Sequence, residues 1–323
     1  MPDLNIAWWN LENLFDHENA QRDPQLKNTL ASELKGWSAA VRDRKIEQLA
    51  SVIRSMFAGA GPALLGVCEV ENESVATRLA QAIGLAQREY TVVGHPSPDL
   101  RGIDTSFIVD NRELSVLSTD YRVVNKRRAT RDIFWTRLRV NSSAAEFVAI
   151  ANHWPSRSAG QYSSEPFRMM TGETHALVTS RLQDSAEGGD PHLPILSMGD
   201  FNDEPFNRSM QEYLLGSRDP GRVRYSKSGH MLNLMWPLLS GHNPGTYLFN
   251  ADWGMLDQFL ASYGMLRGAS PVRVELQSVG IFRPPQMLGK SGQPRRFNRP
   301  SSKTGVDEEG YSDHFPILLT LKV

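Results

Sequence analysis

The sequence predicts a mixed α/β fold, on three observations. Short apolar runs of strand type, such as residues 193–198, alternate with longer stretches whose apolar residues recur at helical spacing. Polar residues able to do chemistry stand at the ends of those runs, where α/β proteins build their sites. A hydrophobic fraction of 40% with a charged fraction of 22% is that of an ordinary globular chain. Its 323 residues exceed the usual one-domain length but suit one large α/β unit, residues 1–323.

The first strand is Ile6-Ala7-Trp8-Trp9, ending at Asn10. A polar loop follows over 16–28. Residues 41–57 predict a helix, because Val41, Ile46, Leu49, Val52, Ile53 and Met56 make one apolar stripe. Pro62 starts a strand over 63–68 that ends at Glu69. Asn72 caps a second helix carrying Val75, Leu79 and Ile83, with Gly84 as its stop. Strands are expected over 105–109, 114–117, 133–140 and 147–151, then a helix over 167–182. The strand 193–198 stops at Gly199-Asp200-Phe201-Asn202-Asp203-Glu204-Pro205. Further strands lie near 246–248, 256–260 and 272–276, and 315–321 closes the chain. Residues 278–310 are rich in Pro, Gly and Arg and read as one long loop, a length that in a compact domain is often functional.

A formal net charge of −1 leaves no overall electrostatic footprint for nucleic acid, although a carboxylate-rich site can hide local positive potential from a net count. The single cysteine, Cys68, has apolar flanks and reads as a small buried hydrophobe with no disulfide partner. Met1-Pro2-Asp3-Leu4-Asn5 is not a basic segment followed by an apolar core, and no apolar run approaches the ~20 residues that span a bilayer. A cytoplasmic protein with no membrane attachment and no obligate protein partner is expected.

Asp200 and Asn202 are two apart and share a face if the backbone is extended. Such a pair can hold a hard cation or orient a water against a phosphate; the same residues also suit a plain polar turn. Six other segments bear on the choice: Trp9-Asn10-Leu11-Glu12-Asn13-Leu14-Phe15, Gly66-Val67-Cys68-Glu69-Val70-Glu71-Asn72, Arg101-Gly102-Ile103-Asp104, Asn152-His153-Trp154, Leu256-Asp257-Gln258-Phe259 and Ser312-Asp313-His314. In this order, with Gly199-Asp200-Phe201-Asn202, they resemble the endonuclease/exonuclease/phosphatase superfamily, the group of pancreatic deoxyribonuclease-like and apurinic-endonuclease-like enzymes. The resemblance runs from the first strand to the last. It implies a four-layer sandwich, two mixed sheets flanked by helices.

The resemblance also implies a Mg²⁺ or Mn²⁺ cofactor and a role for each residue. Glu69 is similar to the principal metal carboxylate, with Glu71 as its rival; Asn10 and Asp313 stand on the metal side. Mg²⁺ takes oxygen ligands, typically one or two carboxylates plus water and substrate phosphate. Asp200 resembles the residue that orients or deprotonates the attacking water, and Asn202 the amide that bonds the same water or a phosphate oxygen. His314 resembles the histidine that contacts the scissile phosphate, as donor, acid or base, and Asp257 its carboxylate partner. His153 is similar to a second phosphate-side histidine. Arg101, Asp104 and Asn152 are implied on the substrate side.

Two basic clusters add Arg128, from Lys126-Arg127-Arg128 with Arg131, and Arg296, from Arg295-Arg296 with Arg299. Trp8, Trp9, Trp154 and Tyr162 lie near motif positions, where stacking on bases would use them. The implied activity is metal-dependent phosphoester hydrolysis by in-line attack of water. The substrate is a nucleic acid, with a small phosphorylated molecule as the alternative; a non-catalytic binding module would not need the full acid, amide and histidine set.

Overall fold

The structure is a computed structural model, and it describes residues 3–226, 229–241 and 244–323. In chain order the strands are β1 (Asp3–Leu14), β2 (Leu64–Val70), β3 (Tyr90–Gly94), β4 (Asp104–Asp110), β5 (Leu114–Arg122), β6 (Ile133–Val140), β7 (Glu146–His153), β8 (Ile195–Asp200), β9 (Gly216–Ser217), β10 (Met231–Asn233), β11 (Tyr247–Phe249), β12 (Asp252–Gly254), β13 (Asp257–Ser262), β14 (Arg273–Val274), β15 (Gly280–Ile281) and β16 (Ile317–Lys322). The helices are α1 (Pro24–Leu34), α2 (Ala39–Ser55), α3 (Glu73–Ile83), α4 (Gln161–Gln183) and α5 (Pro220–Tyr225).

Among the described residues these strands form two seven-stranded mixed sheets and one hairpin, β11–β12. The first sheet runs β14-β16-β1-β2-β4-β3, with β15 also on β16; the second runs β5-β6-β7-β8-β13-β10-β9. Alternate residues sort the layers. Leu4, Ile6 and Trp8 of β1, Cys68 of β2, Ala149 and Ala151 of β7 and Leu196 and Met198 of β8 meet in one core between the sheets. Ala7, Trp9, Leu65 and Val67 face the other way, onto α2 and α3. Val148, Ile150 and Ile195 likewise pack with Val178 of α4. Strands buried on both faces are why the sequence shows near-continuous apolar runs rather than clean alternation.

This topology builds one rim. β1 and β2 are parallel, as are β7 and β8. In the first sheet β16 runs antiparallel to β1 and β4 antiparallel to β2, and in the second β13 runs antiparallel to β8. Within each sheet, the carboxyl ends of two strands therefore meet the starts of their antiparallel neighbours. Pairing sets His153 and Asp257 on either side of Asp200.

Several boundaries differ from the sequence reading. β1 continues past Asn10 to Leu14, because Leu11 and Leu14 still pack into the helix-side core. The supposed loop 16–28 contains the start of α1, capped by Asp23 and begun by Pro24. α1 escapes a periodicity search because only Leu30 and Leu34 are buried. α4 starts at Gln161, six residues before the expected 167, and carries Pro166 inside it. The long 278–310 stretch is largely irregular but firmly held: Arg295 pairs with Asp307, Arg299 with Glu33, and Phe297 packs with Phe15 and Trp37. Among the described residues no helix is long and apolar enough to cross a membrane.

Candidate functional site

Asp257 opens β13 and is fully buried. Its Oδ1 accepts the Trp8 indole N–H at 3.0 Å, and its Oδ2 lies 2.6 Å from His314 Nδ1. The segment ahead of β16 is tied to β1: Ser312 Oγ donates to the Asn10 carbonyl at 2.7 Å, and Trp9 Nε1 donates to the His314 carbonyl at 2.8 Å. These bonds fix the imidazole so that Nε2 faces Asp200 Oδ2 at 4.0 Å. The Tyr247 ring lies against it, centroids 4.7 Å apart. Burial opposes charge on His314, but the Asp257 carboxylate, with Asp200 and Asp313 behind it, outweighs burial and raises the ring to about 10. Burial raises the Asp200 carboxyl as well; His314 opposes that rise and Asp257 adds to it.

The constellation continues across to the first sheet. Asn10 Nδ2 donates to Asp200 Oδ2 at 3.0 Å and to Glu69 Oε1 at 3.5 Å, while Asn10 Oδ1 accepts the Glu12 N–H at 2.9 Å. Glu69 sits at a register shift in β2 with φ 61°, and its Oε2 accepts the Asn13 N–H at 2.9 Å. A left-handed conformation is costly for a side chain with a Cβ, and here it turns the carboxylate to the rim. His153 Nε2 lies 3.6 Å from Glu69 Oε1 and 3.9 Å from Asp200 Oδ2. Burial, then the Arg131 and Arg101 charges and His314, push His153 well below the usual histidine range.

Other expectations need revising. Asn202 does not share an extended face with Asp200. The chain turns, with φ 51° at Asn202; the Asn202 N–H donates to Asp200 Oδ1 at 2.9 Å and its Nδ2 to the Trp154 carbonyl at 3.0 Å. Asn152 points to the helix side rather than the site. It is fully buried, donates to Ser197 Oγ at 2.9 Å and accepts the Trp154 indole N–H at 3.1 Å, so it clips β7 to β8. Glu71 is taken by Arg22, at 2.5 and 2.8 Å, and by the Asp16 N–H. Arg128 is exposed, and among the described residues no hydrogen bond ties it to the site. Trp154 packs edge-on against Phe201 in the core, and Tyr162 is largely exposed.

Arg101 stands at the rim, bonded to Asn13 Oδ1. Asp104 turns to Ser97, accepting its N–H and hydroxyl, and burial raises it to about 6. Arg296 bridges Glu12, at 2.9 Å, and Asp313, at 3.1 Å. Sequence reasoning gave no role to Tyr247 or Lys45 and placed Arg131 only within a basic cluster; in the structure its Nη2 donates to His153 Nε2 at 3.1 Å.

Could the site hold a divalent cation? The partly exposed oxygens at the rim are the Glu69 and Asp313 carboxylates, while the Asn10 amide oxygen is taken by the Glu12 N–H and its Nδ2 faces Glu69 and Asp200. An all-oxygen set with few carboxylates fits a Mg²⁺-type ion that keeps water and takes phosphate. Among the described residues no group of three or more His, Cys, Asp or Glu side chains is arranged to hold a metal by itself, so water and substrate oxygens would complete such a shell.

Beneath the 200–207 turn lies a buried ion cluster. Asp203 pairs with Arg157 at 2.9 Å and with the fully buried Arg168 at 2.8 Å, and Arg157 Nε also donates to the Asn202 carbonyl at 2.6 Å. Asp203→Ala leaves Arg168 charged and unpaired, so it should destabilise the protein by roughly 3–5 kcal/mol. Urea unfolding of the variant checks this; a midpoint equal to the parent's would refute it.

The sequence matches the Endonuclease/Exonuclease/phosphatase family over residues 5–323. No curated protein matches it. A family member from Bacteroides thetaiotaomicron is similar in structure with a TM-score of 0.59 at 14% identity, covering 99% of this chain and 98% of that one. A mannosyl-6-phosphatase from the same organism gives 0.58 at 14% identity over 99% and 100% of the two chains. D. rerio TDP2, humanized by 14 mutations, gives 0.58 at 14% identity over 99% of each. These likenesses show the fold, two mixed sheets faced by helices. With the family match spanning nearly the whole chain, the protein belongs to the endonuclease/exonuclease/phosphatase family.

Proposed function

We propose that the protein is a phosphoester hydrolase that uses Mg²⁺ or Mn²⁺ and attacks phosphorus with water. The observation that carries this reading is the unbroken run Asp257–His314–Asp200–Asn10–Glu69, in which neighbours lie 2.6 to 4.0 Å apart. Asp200 orients and deprotonates the water, with Asn202 beside it. His314, charged through Asp257, donates to the phosphoryl oxygens, and His153 stands on the phosphate side with Arg131, whose guanidinium donates to its Nε2. Glu69 and Asp313, with Asn10 bracing Glu69 through its amide N–H, would hold the cation, which would supply positive charge to the phosphoryl oxygens.

The first substrate reading is a nucleic acid phosphodiester, gripped at neighbouring phosphates by arginines such as half-buried Arg101 and exposed Arg128. Among similar structures, D. rerio TDP2 is solved with a single-strand DNA product. One observation favours the second reading, a phosphomonoester of a small molecule. Arg295, Arg296 and Arg299 are each paired with acids, so they add little positive potential beyond the scissile phosphate.

Purified protein with Mg²⁺ or Mn²⁺ should cleave at least one of plasmid, single-stranded DNA, RNA, a chromogenic phosphodiester or a phosphomonoester. Cleavage of a polynucleotide held at several phosphates should fall by about 10³ between 50 and 200 mM salt, while a small substrate should respond weakly. No cation-dependent release from any of these would refute the proposal.

A further inference from the structure

Lys45 of α2 is fully buried beneath the Glu69 side of the site. Burying an ammonium is expensive unless partners offset its lost hydration. Its Nζ donates to the Glu12 carbonyl at 2.5 Å and lies over the Phe297 and Trp37 rings, 5.1 and 5.8 Å from their centroids. It takes no carboxylate partner directly among the described residues; burial pushes the ammonium below the usual lysine range, and Glu12, Asp313 and Glu69 oppose that from a distance.

The Glu12 carbonyl and the Asn13 N–H belong to one peptide group. That N–H donates to Glu69 Oε2 at 2.9 Å. On one side of the peptide, then, an ammonium binds the oxygen; on the other, the N–H grips a carboxylate. The residues flanking it are both left-handed, Glu12 at φ 53° and Asn13 at φ 56°, so this peptide is held in a conformation that side-chain-bearing residues avoid. The Glu12 N–H is fixed as well, by Asn10 Oδ1 at 2.9 Å. Hydrogen bonds in a chain polarise one another in a low-dielectric interior, so the ammonium strengthens the N–H that Glu69 accepts.

We propose that Lys45 is a positioning residue for Glu69, acting through the Glu12–Asn13 peptide, and that it sets how tightly the site binds a divalent cation. The lysine orients and polarises the peptide; the peptide holds one carboxylate oxygen and leaves Oε1 toward Asn10 and His153. This rests on the reading that Glu69 holds the cation.

The test uses Mn²⁺ itself, with free ion counted by electron paramagnetic resonance, beside thermal melts with and without Mn²⁺. Lys45→Met fills the same space without charge. Replacing a buried charge by an apolar side chain of similar volume is often neutral or stabilising, so the variant should fold. Its Mn²⁺ affinity should fall by roughly 10- to 100-fold, the range for residues that orient a ligand from behind. Lys45→Gln keeps an N–H donor and should recover part of the loss. Glu69→Gln separates the two readings. If it leaves Mn²⁺ binding intact, the cation assignment fails. If it weakens binding while a folded Lys45→Met binds as the parent does, only the relay fails. Unfolding of both Lys45 variants would mean the lysine serves the fold, and would also overturn the proposal.

Discussion

Asp200→Ala should lower kcat/KM by about 10³-fold or more at saturating Mg²⁺, with the fold retained. General-base assistance alone accounts for roughly 10² to 10⁴ in rate, and this carboxylate also fixes its neighbours. Its Oδ2 takes the Asn10 amide and its Oδ1 takes the Asn202 N–H. Removing both acceptors loosens the amide beside Glu69 and frees the turn that carries Asn202. Stability should change far less than activity. Burial disfavours the charged Asp200 carboxyl, so the side chain is retained against its own desolvation, and the strand beneath it is anchored by Leu196 and Met198 in the inter-sheet core. The check is kcat/KM on whichever substrate the parent cleaves, beside a thermal melt. A folded variant with parental activity would remove Asp200 from the mechanism.

How much of this was legible in the sequence follows from where each residue's partners lie. Asp200, Glu69 and His153 stand at strand ends, and a strand end is a local signal. The direction of a side chain at such an end is not. Asn152 and His153 are adjacent and opposite in facing, yet β7 is apolar on both sides, so the pattern 147–151 cannot say which parity looks into the site. Asn202 escaped because a left-handed residue breaks the period of two on which the face argument relied.

Long-range contacts hid the rest. Trp8 meets Asp257 across 249 residues and Lys45 meets Glu12 across 33, so neither residue carries a local mark of its role. Lys45 in particular reads as one more polar residue of an amphipathic helix. The fold class was visible because alternating strand and helix periods are local; the order of the strands was not, since β1 lies between β2 and the last strand of the chain.

Asp257→Asn should shift the alkaline limb of the pH–rate profile to lower pH and reduce activity at pH 7 by roughly 10² to 10⁴. The asparagine keeps an oxygen for the Trp8 indole and turns its amide toward His314 Nδ1, so packing is conserved. What it loses is the charge that holds the imidazolium. With Asp257 present, carboxylates outweigh burial and His314 is raised to about 10; with the amide, burial works against fewer opposing charges and the ring loses its proton at lower pH. A neutral ring protonated on Nε2 can still donate a hydrogen bond, so the size of the loss measures what the charge adds. Stability should follow the same sign. A histidine raised in the folded state contributes stability that is fully present below its unfolded value near 6.5 and is lost as pH climbs through about 10. The parent should therefore lose more of its urea midpoint between pH 6 and 10 than the Asp257→Asn variant does. Identical pH–rate profiles and identical pH dependence of unfolding in the two proteins would show that the Asp257–His314 pair carries no charge that the reaction or the fold uses.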